Sequence, residues 1–141
     1  MKPCLTTFML ILPLGLLSQS ITGKWITVDD ETGREKSVVE IFERNGKYFG
    51  KVISLFPGPD VEPDPVCDEC PEDDPRHNKK IIGMEIIKNL ERSGDEYSGG
   101  TILDPANGRI YRCRLWVERD ELNVRGYWGP FFRTQTWQRA R

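Results

Sequence analysis

The stretch Gly99 to Gly129, GGTILDPANGRIYRCRLWVERDELNVRGYWG, constrains the fold more than any other part of the chain. It packs three strand patterns and two turn signals into about 30 residues, a density typical of antiparallel hairpins. Within Asp104-Pro105-Ala106-Asn107-Gly108, the proline fixes φ and donates no N–H, and Asn-Gly tolerates positive φ, so the chain must reverse there. From Ile110 to Val117 the residues alternate. Tyr111, Cys113, Leu115 and Val117 share one face, and Arg112, Arg114 and Trp116 share the other. A tight turn over Glu118 to Glu121 leads into a second alternating run, Leu122 to Trp128. Strict alternation of this kind predicts an antiparallel meander with one apolar wall and one charged wall.

The rest of the chain repeats the theme. Gly23 to Val28 reads as a first strand. Lys36 to Arg44 reads as a second, rich in β-branched residues, and Asn45-Gly46 is a strong hairpin signal joining it to a third, Lys47 to Phe56. Ile81 to Leu90 fits either a strand or a helix face. The interior Gly83 and the flanks favour strand, ending in a turn over Arg92 to Asp95. Arg133 to Arg139 closes the series. Eight strands joined mainly by short turns predict an all-β fold, an up-and-down barrel or a sandwich. Eight strands closed on themselves leave room for side chains or one small ligand.

Two segments stand apart. The first twenty residues combine Lys2, an apolar run from Leu5 to Leu17 and the small residues of Ser18-Gln19-Ser20. This is the pattern of a secretory leader, with cleavage expected after Ser20 and a single domain over 21–141, an N-terminal membrane anchor being the alternative. Cys4 precedes the apolar run and would leave with the leader. No later apolar run approaches about 18 residues, so no transmembrane segment is expected in the mature chain. The second segment, 57–80, holds six prolines and eight acids against Arg76, Lys79 and Lys80. No strand or helix period survives that composition, and loops this long are usually functional or disordered.

The chain has 141 residues and a formal net charge of −2. Charges of both signs are mixed and no basic stripe carries interleaved aromatics, so nucleic acid is not an expected partner. Cys67-x-x-Cys70 lies among acids with no helix start after it, which disfavours a redox-active thiolate. A zinc site recruiting His77 and Cys113 would have a non-standard spacing. A structural disulfide is the favoured reading, Cys67–Cys70 first, with a bond from either to Cys113 as the alternative. Cys113 shares the apolar face and equally suits a buried free thiol. His77, the only histidine, has no nucleophile nearby and reads as a solvated loop residue. The acids of the loop lack an EF-hand spacing and read as a solvated surface. No metal or cofactor is expected.

Gly23-x-Trp25 at the head of the first strand is a pattern of lipocalin-type barrels. There the tryptophan plugs the closed end, and an arginine from the last strand stacks on it; Arg139 and Arg133 are the candidates. Further segments follow in order: Asn45-Gly46-x-x-x-Gly50-Lys51, Cys67-Asp68-Glu69-Cys70, Ile82-Gly83-Met84, Gly100-Thr101-Ile102-Leu103-Asp104-Pro105-x-Asn107-Gly108-x-x-Tyr111-x-Cys113, Leu122-x-Val124-Arg125-Gly126-Tyr127 and Arg133-Thr134-Gln135-Thr136-Trp137. Together they resemble the bacterial family known as domain of unknown function 2147, over essentially the whole of Gly23 to Arg139. The resemblance implies an exported, lipocalin-like barrel, typically periplasmic, and supplies no activity. Phe131-Phe132-Arg133 departs from the family pattern, which has a glycine directly before the arginine.

The expected architecture is therefore an eight-stranded antiparallel up-and-down, lipocalin-like β-barrel with one long acidic, proline-rich loop. Barrel closure falls to Gly23, Trp25 and Arg139. The expected function is binding of a small hydrophobic or amphipathic ligand inside the barrel. Strand phase nominates Trp25, Phe42, Ile53, Met84, Ile86, Tyr111, Leu115 and Val124 as its lining. Tyr127 joins them as an aromatic near the mouth, although its phase is opposite to that of Val124. The alternative is an interaction module with a filled barrel, acting through Arg112, Arg114, Trp116 and Arg125 or through the loop at 57–80. An enzyme ranks third, because no set of residues meets the geometric roles of catalysis.

Overall fold

The computed structural model of the protein describes residues 2, 3, 11 and 19–141. The expected leader at 1–20, with Cys4, lies almost wholly outside the described residues. The strands are β1 (Gly23–Val28), β2 (Glu35–Arg44), β3 (Lys47–Leu55), β4 (Glu85–Ser93), β5 (Glu96–Asp104), β6 (Arg109–Glu118), β7 (Glu121–Trp128) and β8 (Phe131–Arg139). Each pairs antiparallel with its neighbour in sequence, and β8 returns to β1, so the sheet closes into a barrel. The expected all-β barrel is what forms. The ambiguous run from Ile81 begins its strand only at Glu85, and its turn narrows to Gly94-Asp95. The last strand starts two residues earlier than expected, at Phe131.

Because every connection is a hairpin, the turns alternate between the two ends. One end carries only two-residue turns: Asn45-Gly46, Gly94-Asp95 and Arg119-Asp120. Arg119 and Asp120 both adopt positive φ, 53° and 60°, the mirror-image turn that matches strand twist. This end is closed by Trp25, which is fully buried. Its indole N–H donates to the Ile21 carbonyl at 2.8 Å. The Arg139 guanidinium lies 4.4 Å from its ring centroid and is itself held by Asp120 at 3.1 Å. Gly23 has φ 121°, a conformation that a side chain would oppose, and passes beneath that guanidinium. Arg133, the other candidate, pairs instead with Asp30 at 2.7 Å. Around and above the plug, Val39, Ile41, Ile87, Leu90, Tyr97, Leu115, Leu122 and Trp137 fill the core, each no more than 2% exposed.

The long connection between β3 and β4 is ordered. It doubles back on itself: the Cys67 amide donates to the Lys79 carbonyl at 2.8 Å, the Asn78 amide to the Cys67 carbonyl at 2.8 Å, and the Ile81 amide to the Pro65 carbonyl at 3.0 Å. The Cys67–Cys70 disulfide ties its tip, and both sulfur residues are buried. His77 is half-buried rather than solvated. Its Nδ1 donates to the Cys70 carbonyl at 2.6 Å. Arg76, 9% exposed, forks onto both oxygens of Asp74 at 3.0 and 2.8 Å and donates to the Glu85 carbonyl at 3.0 Å. That pair staples the loop to the start of β4, and the Arg76 hydrogen bonds hold the Asp74 carboxyl at about 2.

Two predictions follow from these anchors. Replacing Arg139 with Gln removes the cation over Trp25 and costs about 1–2 kcal/mol, more than the exposed partner change Asp120→Asn, at under about 1 kcal/mol; urea unfolding followed by tryptophan fluorescence reads both. The Asp74 pKa is lower folded than unfolded, so its contribution is present above 3.8 and fades as pH falls toward about 2. The stability gap between the wild type and Asp74→Asn is therefore full at pH 5 and closes across that window; a gap independent of pH overturns the assignment.

Candidate functional site

The open end carries the other four connections: residues 29–34, 56–84, 105–108 and 129–130. Its rim is not uniform. On the β8–β1 side it is tied shut. Asp30 accepts from Arg133 at 2.7 Å and from Gln135 at 3.0 Å, and the Thr27 and Ser37 hydroxyls meet at 2.7 Å below. On the opposite side the loop packs against the β5–β6 turn. Gly108, at φ 72°, lies directly against the Glu69 carbonyl, where any side chain would collide with backbone.

Between these two ties the wall forks. The β6–β7 ladder runs from Glu118↔Glu121 up to Arg112↔Tyr127 and stops. Above it, β6 continues to Arg109 paired only with β5, and β7 continues to Trp128 paired only with β8. The two lips separate and leave an open cleft of about 660 Å³. Ile110, Tyr111 and Arg112 line one lip, Tyr127 and Trp128 the other, and Pro71 of the long loop overhangs them. Apolar surface here is unusually bare: Ile110 is 43% exposed, and Trp128, Phe131 and Phe132 are each 61% exposed. A smaller cleft of about 420 Å³ lies beside the β3–β4 loop among Arg76, Lys79, Lys80 and Lys88. Two of those cations are already engaged, Arg76 by Asp74 and Lys80 by Asp64 at 3.0 Å.

The residues nominated from strand phase separate into two groups. Trp25, Met84, Ile86, Leu115 and Val124 are buried in the core cluster. Phe42, Ile53, Tyr111 and Tyr127 are not part of it. Phe42 faces outward, because Val39 and Ile41 take the inward phase opposite Val52 and Gly50. It stacks on Phe49 at 6.0 Å, beneath the Arg44 and Lys51 side chains. Ile53 sits at a bulge where Val38 pairs with Ser54 but Val39 with Val52, so the register skips it and Val52 turns inward instead. Tyr111 keeps the inward phase of Cys113 but stands half-buried at the fork, its hydroxyl accepting from Asn107 at 3.3 Å. Tyr127 is on the outer phase and reaches the cleft only because it ends the ladder.

Of the outer-wall set, Arg125 bridges Trp116 and Phe132, with its guanidinium 5.0 and 4.5 Å from their ring centroids, and Arg114 pairs with Glu96 at 3.4 Å. Sequence reasoning missed Arg109, Ile110, Trp128 and Pro71 as cleft residues. The run Trp128-Gly129-Pro130-Phe131-Phe132, aromatics clustered at a turn, was the available signal. Chemically the cleft offers aromatic surface and guanidinium groups. Cys113 lies in the inner wall, where burial pushes its thiol up to about 12 and keeps it protonated. Deeper, the Tyr97 hydroxyl is buried without a hydrogen-bond partner among the described residues, its ring edge-on to Tyr48 at 4.8 Å.

An antiparallel eight-stranded barrel plugged by Trp25 under an arginine of the last strand is a lipocalin-like architecture. A solved structure described as "Protein HP1028 from the human pathogen Helicobacter pylori belongs to the lipocalin family" superposes with a TM-score of 0.72 at 24% identity, over 86% of this chain and 84% of that one. That likeness speaks for the fold. The model of the family described as "Uncharacterized protein conserved in bacteria (DUF2147)" matches residues 23–139, and the chain belongs to that family. No functionally curated protein matches the chain.

The orphaned hydroxyl gives a direct check on the core. Tyr97→Phe removes a desolvated group that makes no bond, so stability holds or rises by up to about 1–2 kcal/mol; a loss of about 1 kcal/mol or more in urea unfolding shows that the hydroxyl is bonded in solution.

Proposed function

We propose that this protein is an exported carrier or binding protein that takes a small amphipathic molecule at the open end of its barrel. The observation that carries this reading is the fork between β6 and β7. It exposes Tyr111, Tyr127 and Trp128 beside the unpaired upper end of the β6–β7 ladder, and Pro71 of the long loop borders the same cleft. Exposed aromatic surface in a concave, partly polar setting is how small-ligand sites are built. The closed half of the barrel is packed with side chains, so the ligand's place is the mouth rather than the full interior lining expected from strand phase. Export to the periplasm rests on the leader pattern of the first twenty residues. It is supported by the Cys67–Cys70 disulfide, which an oxidising compartment maintains, and by Ile21, just past the expected cleavage point, being buried in the core.

The test is native mass spectrometry. Protein expressed with its own leader in a Gram-negative host is released by osmotic shock and purified without detergent. The expected result is a chain beginning near Ile21 with a reproducible added small-molecule mass, lost on denaturation. Protein retained in the cytoplasm overturns the export reading, and protein uniformly free of added mass that also fails to bind amphiphiles in titration overturns the binding reading.

A further inference from the structure

We infer that the fork selects ligands with an oxyanion head group, a carboxylate or a phosphate monoester, on an apolar body. The inference rests on the binding reading above and specifies its chemistry. Among the described residues, the charged side chains lining the cleft are Arg109 and Arg112. Both are exposed, and among the described residues neither guanidinium has an ion pair, a side-chain hydrogen bond or an aromatic ring beneath it. The contrast with other arginines around the barrel is sharp. Arg76 is forked onto Asp74, Arg114 pairs with Glu96, Arg125 donates to Thr134 at 2.8 Å, and Arg133 is held by Asp30. In a chain of net charge −2 with an acidic loop close by, two uncommitted cations beside the same apolar cleft are a local reversal of sign.

Their positions suit a clamp. Arg109 shares the phase of Tyr111 and Cys113, toward the inside of the wall, and Arg112 takes the opposite phase, across from Tyr127. At an intact ladder these two side chains would be separated by the sheet. Arg112 is the last β6 residue with a β7 partner, and above it Ile110 and Arg109 have none, so an arginine of each phase borders the cleft between the lips. The guanidinium fork matches the paired oxygens of a carboxylate or a phosphate. The rings of Tyr111, Tyr127 and Trp128 then receive the apolar body. A cationic head would meet two positive charges there, and a neutral head would leave the arginines as they are.

Four probes of equal chain length, each below its micelle concentration, test this: dodecanoate, dodecyl phosphate, dodecanol and dodecyltrimethylammonium. Titration is followed by tryptophan fluorescence, with calorimetry as a second readout. The expected result is that one or both oxyanions bind about tenfold or more tighter than dodecanol, with the ammonium weakest, as charge-assisted hydrogen bonds require. The preferred oxyanion identifies the head group. In the double variant Arg109→Gln/Arg112→Gln the margin over dodecanol disappears, and in Arg109→Lys/Arg112→Lys most of it returns. Circular dichroism and the urea midpoint establish that each variant is folded. If dodecanol binds as tightly as the oxyanions, or the margin survives in the folded Gln variant, the head-group inference fails and the binding reading stands. If none of the four binds and the purified protein is empty, both fail together.

Discussion

The seam between β1 and β8 is the constraint on which this molecule depends. The two strands share only the pairs Trp25↔Arg139 and Ile26↔Gln138, whereas β7 and β8 are in register over eight. A ladder so short contributes little by itself, and an open eight-stranded sheet would present two edges to solvent. The seam is held instead by side chains, by Asp30 with Arg133 and Gln135 at the mouth and by a denser cluster at the plugged end. Trp25 is buried beneath it, the Ile21 carbonyl receives its N–H, Arg139 covers its ring, and Asp120 positions Arg139 from the β6–β7 turn. Closure is thus chiefly a property of the cluster at the plugged end, and the remaining strands are free to vary in how far their pairing extends upward.

That freedom explains the asymmetry of the open end. Where side chains cross the rim, as Asp30 does with Arg133 and Gln135, they bridge a seam whose backbone ladder ends at Ile26↔Gln138. Where the β6–β7 ladder ends, at Arg112↔Tyr127, a cleft opens between the upper part of β6 and the end of β7. The long loop fills part of the difference. Its disulfide, its Asp74–Arg76 fork and its contact with Gly108 make it a fixed overhang, despite a composition that argues for a solvated and irregular segment. Six prolines restrict its backbone, and three buried attachments hold it down.

How much of this is legible in the sequence depends on range. Alternation and turn chemistry are local, so the eight strands, the Asn45-Gly46 hairpin and the Gly23-x-Trp25 plug could be read directly. Phase is local only until a bulge intervenes. Ile53 was nominated for the inside because its strand alternates, and one skipped residue opposite Val38 and Val39 reverses it. Asn89 and Gly99, both at positive φ within their strands, break alternation in β4 and β5 in the same way. Phe42 failed for a different reason: a large aromatic reads as core, but here Arg44 and Lys51 lay their side chains over it on the outer wall. The end of the β6–β7 ladder at Arg112↔Tyr127 leaves no mark in the alternation of either strand, and only the aromatic run at the Gly129-Pro130 turn hinted at the cleft beside it.

The sorting of turns between the two ends has an evolutionary consequence. The plugged end has three two-residue connections whose geometry sets strand register, so an insertion there would shift every inward side chain above it. The mouth has connections of two, four, six and twenty-nine residues, and although its two-residue turn also sets a register, that of β7 on β8, its longest connection can change without shifting the strands below it. Relatives built on this plan can lengthen, shorten or recolour the mouth while inheriting the plug unchanged. Heritable stability and divergent recognition are thereby separated along a single axis of the barrel.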